Sequence, residues 1–415
     1  MTESREVQRK NFYLNAAEGA AFASGSAFIS PQTVLPALVV ALGGSNVVVG
    51  FVGVILWVGL FLPQLFAARF VETLPWKKPW ALGFGVAQRS VVLFMGLAVF
   101  FFGPSQPEVA LLLLLLLLLL NQILLGVATP GWFDLFAKLT PPRRRGRLFA
   151  VRNSIGGIGS FLCGLLLMFF LRTMEFPHGY ALAFLCAFAL QGLSILIQTK
   201  LVEADPSPVG APRKMFPFLR HLPDVLRSNI AFRRFLGASA FLVIAVMPVS
   251  FFTVYALHKF DADKSVVAQF TLVMVAAQVV SAPLNGLLAD RKGNKATIVL
   301  ASCAMLVATL WALLAPSLAW FTVVFVFVGF NLTGDLMGRY NISVEYGPPM
   351  KRSTYIGLMN TILAPFYFAS VAGGWISETF GYEAMFLAGA TASVIGISLM
   401  MLKVVDPRSI HPNPS

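Results

Sequence analysis

The chain has 415 residues, of which 57% are hydrophobic and 12% are charged, and its mean hydropathy is +0.78. A soluble domain carries about 25% charged residues, so this composition excludes an ordinary soluble protein and indicates a membrane protein. The net charge of +13 raises nucleic-acid binding as an alternative, which the placement of the basic residues must decide.

Runs of about 20 mostly apolar residues, the length that a membrane-spanning helix needs, recur along the chain. Twelve spans are predicted, at residues 12–42, 46–68, 80–102, 108–137, 148–170, 179–199, 235–257, 266–289, 296–315, 318–345, 354–375 and 382–403. The first span carries Glu18 and has no convincing cleavage site, so we expect a retained helix rather than a signal peptide. The predicted fold class is an all-α membrane protein with twelve transmembrane helices.

Almost all of the 31 Lys and Arg residues fall in the two terminal segments and in the loops that follow the even-numbered spans. The loops on the opposite side hold only Arg172, Lys259 and Lys264. Basic residues concentrate on the cytoplasmic side of membrane proteins. Both termini are therefore predicted to be cytoplasmic, and the topology accounts for the positive charge. A lipid bilayer is the expected surrounding, and nucleic acid is not expected as a partner.

The longest polar interruption is residues 200–234, which are rich in proline and basic residues and have six spans on either side. We therefore predict an N-terminal six-helix bundle at 1–199, a cytoplasmic linker at 200–234 and a C-terminal six-helix bundle at 235–415. Within the linker, FPFLRHLPDVLRSNI combines aromatic and basic residues that suit a headgroup boundary, which predicts a short interfacial helix.

The two halves of the chain resemble each other. Residues 133–155 align without a gap on residues 340–362 at an offset of 207, and a Pro-Pro pair followed by basic residues matches in the loop between two spans. GYALAFLCA at 179–187 likewise matches GYEAMFLAG at 381–389. Two pseudo-symmetric parallel repeats are therefore predicted.

The segment GLLADRKGNK, between the eighth and ninth spans, resembles the Gly-x-x-x-Asp-Arg-x-Gly-Arg-Lys signature of the major facilitator superfamily. The matching positions are Gly286, Asp290, Arg291, Gly293 and Lys295. The resemblance implies a secondary transporter of the major facilitator superfamily (MFS) fold, in which this loop latches the cytoplasmic side as a gate motif. A loop that only satisfies the charge topology is the alternative.

The N-terminal copy of the signature is degenerate. Residues 62–80 keep Arg69, Lys77 and Lys78 but lack the glycine and the aspartate, and Glu72 is a candidate replacement for the lost carboxylate.

Four ionisable residues lie well inside the predicted spans: Glu18, Arg89, Asp335 and Arg339. A charge at the bilayer centre costs about 2.5–3.5 kcal/mol on insertion scales, so such residues normally face a cavity and pair with another group. The resemblance implies that the first, fourth, seventh and tenth helices line the central cavity. Glu18 is a candidate proton-coupling carboxylate, and a structural ion pair between Glu18 and Arg89 is the alternative.

Residues on the same helical faces extend this set. Asn331, Asp335 and Arg339 follow one another at four-residue spacing on the tenth helix, and Asn15 shares the polar face of Glu18. The candidates for proton coupling or solute binding are Glu18, Asp335, Arg339, Asn331, Asn15 and Arg89. Other polar groups that could complete the cavity, or make only interhelical hydrogen bonds, are Asn121, Gln122, Thr253 and Gln278.

Enzyme and metal motifs are absent from the sequence: the four histidines are scattered, and no nucleophile elbow, P-loop or dinucleotide fingerprint occurs. No catalytic residue, metal or cofactor is therefore expected. The predicted function is secondary active transport of a small organic solute by alternating access, with proton coupling through Glu18 or Asp335 as a further hypothesis. A non-transporting membrane receptor or assembly scaffold, and a drug or amphipath exporter, are the alternatives. The short loops resemble bacterial members of the family, so a monomer in the bacterial inner membrane is expected.

Overall fold

A computed structural model describes residues 5–207, 209, 226–347 and 352–407, which are almost entirely helical and contain no strand. The helices are α1 (Arg5–Ala27), α2 (Val34–Ala41), α3 (Asn46–Glu72), α4 (Lys78–Phe102), α5 (Pro107–Leu139), α6 (Pro142–Thr173), α7 (His178–Gln198), α8 (Ile230–Ile244), α9 (Val249–Lys259), α10 (Val266–Lys292), α11 (Asn294–Leu314), α12 (Leu318–Thr322), α13 (Val324–Tyr346), α14 (Arg352–Leu363), a 3₁₀ turn (Ala364–Phe368), α15 (Ala369–Thr379) and α16 (Tyr382–Lys403).

Within these described residues, eleven helical segments are long and apolar enough to cross a membrane. The chain is therefore a multi-pass α-helical membrane protein, as its composition predicted. The first predicted span is divided between α1 and α2 and is not among these eleven segments.

Three of the interrupted spans contain proline at the break. In the first span Pro31 lies between α1 and α2, and Ser30 O there accepts hydrogen bonds from the amides of Val34 and Leu35. Pro248 separates α8 from α9, and Pro365 lies in the 3₁₀ turn before α15. Proline lacks an amide donor and clashes with the preceding helical turn, which explains why continuous apolar runs became broken helices.

The described chain divides into two compact units. The N-terminal unit comprises residues 1–44, 55–213 and 263–272, and the C-terminal unit comprises residues 45–54, 214–262 and 273–415. The division falls inside α3 and α10, so each of these two helices contributes to both units. The predicted interfacial helix and the second Pro-Pro pair fall mainly on residues 210–225 and 348–351, outside the described residues.

In the N-terminal unit α1 packs along α6 and α7, and α4 packs along α5 and α7. The seam between α1 and α6 consists of small residues. A Cβ on Gly159 would lie 2.0 Å from Ser24 Oγ, and Ser160 Oγ donates to Ala23 O at 3.0 Å. Small residues let two helix backbones approach closely inside a membrane, which brings the side chains that flank this seam within bonding distance.

In the C-terminal unit α11 packs against α13 and α16, and α8 packs against α16. Gly334 and Gly338 of α13 face α11, because a Cβ on them would come within 2.9 Å of Ala301 Cβ and 2.6 Å of Ile298 Cγ1. The four-residue spacing of these glycines therefore serves close helix packing. An aromatic and aliphatic cluster that includes the fully buried Phe232 and Phe235 fills the part of the unit around the start of α8 and the ends of α13 and α16.

Candidate functional site

Glu18 on α1 forms an ion pair with Arg152 on α6, with 2.6 Å between Glu18 Oε2 and Arg152 Nη1. The same Nη1 donates to Asn15 O at 3.1 Å and to Asn15 Oδ1 at 2.9 Å. Glu18 and Asn15 are only 2% and 3% exposed. The polar face predicted on the first helix therefore binds one guanidinium group, and the ion pair bridges two helices.

Two more residues hold the Arg152 side chain. Its Cζ lies 4.6 Å from the centre of the Trp132 ring on α5, a cation–π contact. On its other side the guanidinium crosses α1 at Gly19, where an added Cβ would lie 1.9 Å from Arg152 Nε. Only glycine leaves room for the guanidinium at this position.

Arg89 does not form the ion pair with Glu18 that the sequence offered as an alternative. Arg89 Nη1 donates to Gly85 O and Gln88 Oε1 at 3.3 and 3.2 Å, and Nη2 donates to Ser194 Oγ at 3.3 Å. That alternative was wrong because α6 and α7 are the main neighbours of α1, whereas α4, which carries Arg89, packs mainly on α5 and α7.

The side chain of Arg89 is 8% exposed and also contacts the face of Phe22 on α1, with 4.8 Å from Cζ to the ring centre. Asn121 Nδ2 donates to Gln88 O at 2.9 Å, and Gln122 Nε2 contacts Asn121 Oδ1 at 3.5 Å. Arg89 and Asn121 are thus joined through the α4 backbone into one hydrogen-bonded network inside the N-terminal unit.

The C-terminal unit holds the second membrane-depth ion pair. Arg339 Nε donates to Asp335 Oδ1 at 2.7 Å within α13, and the two side chains are 6% and 19% exposed. Asn331, one turn earlier, donates to Ala301 O on α11 at 2.9 Å. The predicted stripe is therefore present, and its first member is used for helix packing.

Thr253 is fully buried on α9, and Gln278 is half-buried on α10. A separate polar cluster joins α10 to α13: the hydroxyls of Ser281 and Thr333 are 2.7 Å apart, and Asn285 Nδ2 donates to Thr333 Oγ1 at 3.1 Å. The sequence alone did not connect these three residues.

The signature residues surround the turn between α10 and α11. Gly293 has φ +89°, which only glycine adopts readily, and a Cβ there would meet Asp406 Oδ2 at 2.6 Å. Lys295 Nζ donates to Met401 O and Val404 O at 3.1 and 2.8 Å, which ties the turn to the end of α16. Of the remaining signature positions, Gly286 is half-buried, and Asp290 and Arg291 are exposed.

Asn294, which stands where the signature usually has a basic residue, also has a structural role. Its Nδ2 donates to Glu345 Oε1 at 2.8 Å, so the start of α11 is tied to the end of α13.

The degenerate N-terminal copy has an analogous arrangement built around Glu203. Its carboxylate accepts hydrogen bonds from the amides of Lys77 and Lys78 at 3.0 and 2.9 Å, and from Lys138 Nζ at 2.8 Å. Lys78 Nζ donates to Thr199 O and Leu201 O at 2.8 and 2.7 Å. The carboxylate at the start of α4 is therefore Glu203, from the segment after α7, where the sequence had offered Glu72. An anion at a helix N-terminus is stabilised by the helix dipole.

Arg152 and Glu203 are the two residues of these sites that sequence reasoning missed. Arg152 was not among the candidate residues, although it lies ten residues into α6, about 15 Å along the axis at 1.5 Å per residue. Its position inside the fifth predicted span was the signal that could have found it. Glu203 gave no comparable signal, because its partners, two backbone amides and the Lys138 ammonium group, lie between 65 and 126 residues away.

The chain resembles known proteins in sequence over its second half and in structure over nearly its whole length. Residues 235–415 match the sequence model described as Major Facilitator Superfamily. A comparison with curated protein sequences finds no match. Among solved structures, a mutant form of the nucleoside transporter NupG is 14% identical with a TM-score of 0.70, over 95% of this chain and 99% of its own.

Two further solved structures have a similar fold. The peptide transporter POT in complex with sulfate has 13% identity and a TM-score of 0.70, over 96% of this chain and 94% of its own. A bacterial homologue of the human lysosomal transporter Spinster has 15% identity and a TM-score of 0.64, over 96% and 95% of the two chains.

Over nearly its whole length the chain therefore has a fold similar to that of these three solved structures. The resemblance drawn from the signature agrees with the match of residues 235–415 to the Major Facilitator Superfamily model.

Proposed function

We propose that this protein is a secondary active transporter that moves a small organic solute by alternating access. The observation that carries the proposal is the buried Glu18–Arg152 pair, which bridges α1 and α6. Buried charges in spanning helices are expensive and tend to mark pathways for solutes or ions. A pair that joins two helices can also be broken and remade when those helices move, as a transport cycle requires.

We further propose that the transporter acts as a monomer in a bacterial inner membrane, with both termini in the cytoplasm. The basic residues of the terminal segments and even-numbered loops support this orientation. The proposed organisation is one six-helix repeat at residues 1–199, a linker at 200–234 and a second repeat at 235–415.

Transport itself is tested by flux across a bilayer. Thermal-shift screening of the purified protein against sugars, organic acids, amino acids, nucleosides and amphipathic drugs selects a stabilising solute. Proteoliposomes preloaded with that solute should then accumulate labelled solute by counterflow. Saturable binding without any flux would contradict the proposal and favour a receptor or scaffold.

Proton coupling through Glu18 or Asp335 is the finer part of this proposal. Glu18 faces Arg152 on α6 and lies close enough to Arg89 on α4 for their charges to interact, so protonation of Glu18 would release one guanidinium from its counter-ion. Asp335 has Arg339 as its partner on the same helix.

The coupling test compares uptake with and without a pH gradient in Glu18→Gln and Asp335→Asn proteins. Loss of gradient-driven accumulation with retained counterflow would identify the coupling carboxylate. Glu108→Gln, an exposed carboxylate at the start of α5, is the matched control. Full gradient-driven transport by both test variants would exclude both carboxylates.

A further inference from the structure

Positive charge exceeds negative charge among the buried groups of the N-terminal unit. Among the described residues of that unit, the buried Lys77 and Glu203 lie together at the start of α4, which leaves Arg89 and Arg152 with Glu18 as their nearby carboxylate. In the C-terminal unit Asp335 and Arg339 balance each other. An unneutralised charge in a low-dielectric interior is costly, so the N-terminal unit has reason to bind a single negative charge.

The two arginines differ in what they offer to such a ligand. Nη1 and Nη2 of Arg89 donate hydrogen bonds to neutral oxygens of the same unit, and Arg89 is 8% exposed. Arg152 makes all of its hydrogen bonds through Nη1. Its Nε and Nη2 have no hydrogen-bond partner among the described residues, and the side chain keeps 13% of its surface exposed. Arg152 therefore offers Nε and Nη2 to a ligand. Arg89 also has a donor that is unpaired among the described residues, Nε, but that atom is fully buried.

The surroundings of Arg152 fix its position before any ligand arrives. Asn15 and Glu18 hold Nη1, the Trp132 ring covers one side of the guanidinium, and Gly19 leaves the space that it fills. A guanidinium has five N–H donors in a rigid planar arrangement that matches the two oxygens of a carboxylate. Because this side chain is already immobilised, binding costs little further rotamer entropy.

From these observations we propose that Arg152 binds the carboxylate of the transported solute, so that the substrate is an organic monoanion. The inference rests on the proposed transport function and names its substrate class. A single excess positive charge matches a carboxylate better than the dianion of a phosphate monoester. Glu18 stays on Nη1 and partly neutralises the guanidinium when no solute is bound, and the solute carboxylate takes Nε and Nη2.

The test uses thermal stability of the purified full chain at constant ionic strength set with sodium chloride. The probes are benzoate, phenylacetate and lactate, each beside its primary amide and the amine of matching skeleton, together with phenyl phosphate. We expect at least one carboxylate to raise the melting temperature above the effect of its amide and amine. Equal shifts for acid, amide and amine, a larger shift for the amines, a larger shift for phenyl phosphate, or no shift with any carboxylate would overturn the inference.

Variants assign the effect to Arg152. Arg152→Gln alone leaves Glu18 without its partner, so the double variant Glu18→Gln with Arg152→Gln is used to keep the seam neutral. Its apparent affinity for the stabilising carboxylate should fall roughly tenfold or more, the effect of losing charge-assisted hydrogen bonds. Arg152→Lys should weaken binding and keep the preference for acid over amide, and Arg172→Gln, exposed near the end of the same helix, should behave as the wild type.

An unchanged affinity in the double variant would show that the anion binds elsewhere and would overturn the assignment. Failure of the inference is separable from failure of the proposed function. A protein that transports an amine or a neutral solute contradicts the anion assignment and remains a transporter. A protein that binds carboxylates through Arg152 and shows no counterflow contradicts transport itself.

Discussion

The two membrane-depth ion pairs of this protein are built differently. In the N-terminal unit Arg152 reaches from α6 to Glu18 and Asn15 on α1, so the pair joins two helices. In the C-terminal unit Arg339 bonds Asp335 one turn earlier on α13, so the pair lies within one helix. The first pair constrains how two helices pack, and the second satisfies two charges without tying α13 to a neighbour.

The repeat alignment sharpens this contrast. At the offset of 207, Trp132 corresponds to Arg339, and Arg152 corresponds to Met359. Met359 is buried and its Sδ accepts a hydrogen bond from Ser343 Oγ at 3.0 Å. At this offset the two arginines stand at positions that do not correspond, Arg152 on α6 and Arg339 on α13, and Arg152 pairs across two helices whereas Arg339 pairs within one.

Among the substitutions that test this contrast, Arg152→Gln should cause the largest loss of stability. This change leaves the Glu18 carboxylate buried without its ion-pair partner and removes the contacts to Asn15 and Trp132. Breaking a buried ion pair by removing one partner costs about 3–5 kcal/mol. The melting temperature of the purified protein should fall steeply, and the double variant with Glu18→Gln should recover part of the loss. Equal stability of the single and double variants would argue against direct pairing.

Gly19→Ala should give the next largest effect. The new Cβ would lie 1.9 Å from Arg152 Nε and would push the guanidinium away from α1, at a cost of up to about 3 kcal/mol for overpacking. Gly83→Ala is the matched control, because nothing lies within 4 Å of its Cβ position on α4. Thermal melts of the two proteins should move in opposite directions, since alanine otherwise favours a helix by about 1 kcal/mol.

Glu203→Gln tests the contacts that hold the segment after α7 to the start of α4. The amide would place an NH₂ group against the donors at Lys77, Lys78 and Lys138, which costs about 1–3 kcal/mol for unsatisfied polar groups. Thermal unfolding and protease cleavage after residue 199 measure the release of this segment. Unaltered protection would mean that the carboxylate does not hold the segment to α4.

The smallest loss of stability is expected for Arg339→Gln. The partners lie one turn apart on α13, and the Asp335 side chain, at 19% exposed, keeps more solvent contact than that of Glu18 at 3%, so the loss is expected to stay well below about 3–5 kcal/mol, the cost of breaking a fully buried pair. The melting temperature should change far less than for Arg152→Gln. A drop as large as that of Arg152→Gln would show that the intrahelical pair constrains packing after all and would remove the contrast between the units.

Most of the fold followed from local properties of the sequence. Apolar runs of spanning length and the turn around Gly293 are properties of short segments, and each of them predicted a feature without knowledge of the partner helix. The pairing of Asp335 with Arg339 could also be predicted from the sequence, because residues four apart on a helix are neighbours by geometry alone.

Interhelical partners were decided by tertiary structure. The sequence offered Arg89 as the partner of Glu18, and the packing of α1 along α6 selected Arg152, 134 positions away. Glu203 reaches Lys77 across a separation of 126 residues. Helical periodicity determines which face a side chain occupies, but it does not determine which helix lies against that face. The choice of neighbour depends on the small residues Gly19, Ser24 and Gly159, which let α1 and α6 approach closely. Their role can be recognised only once the two helices are packed together.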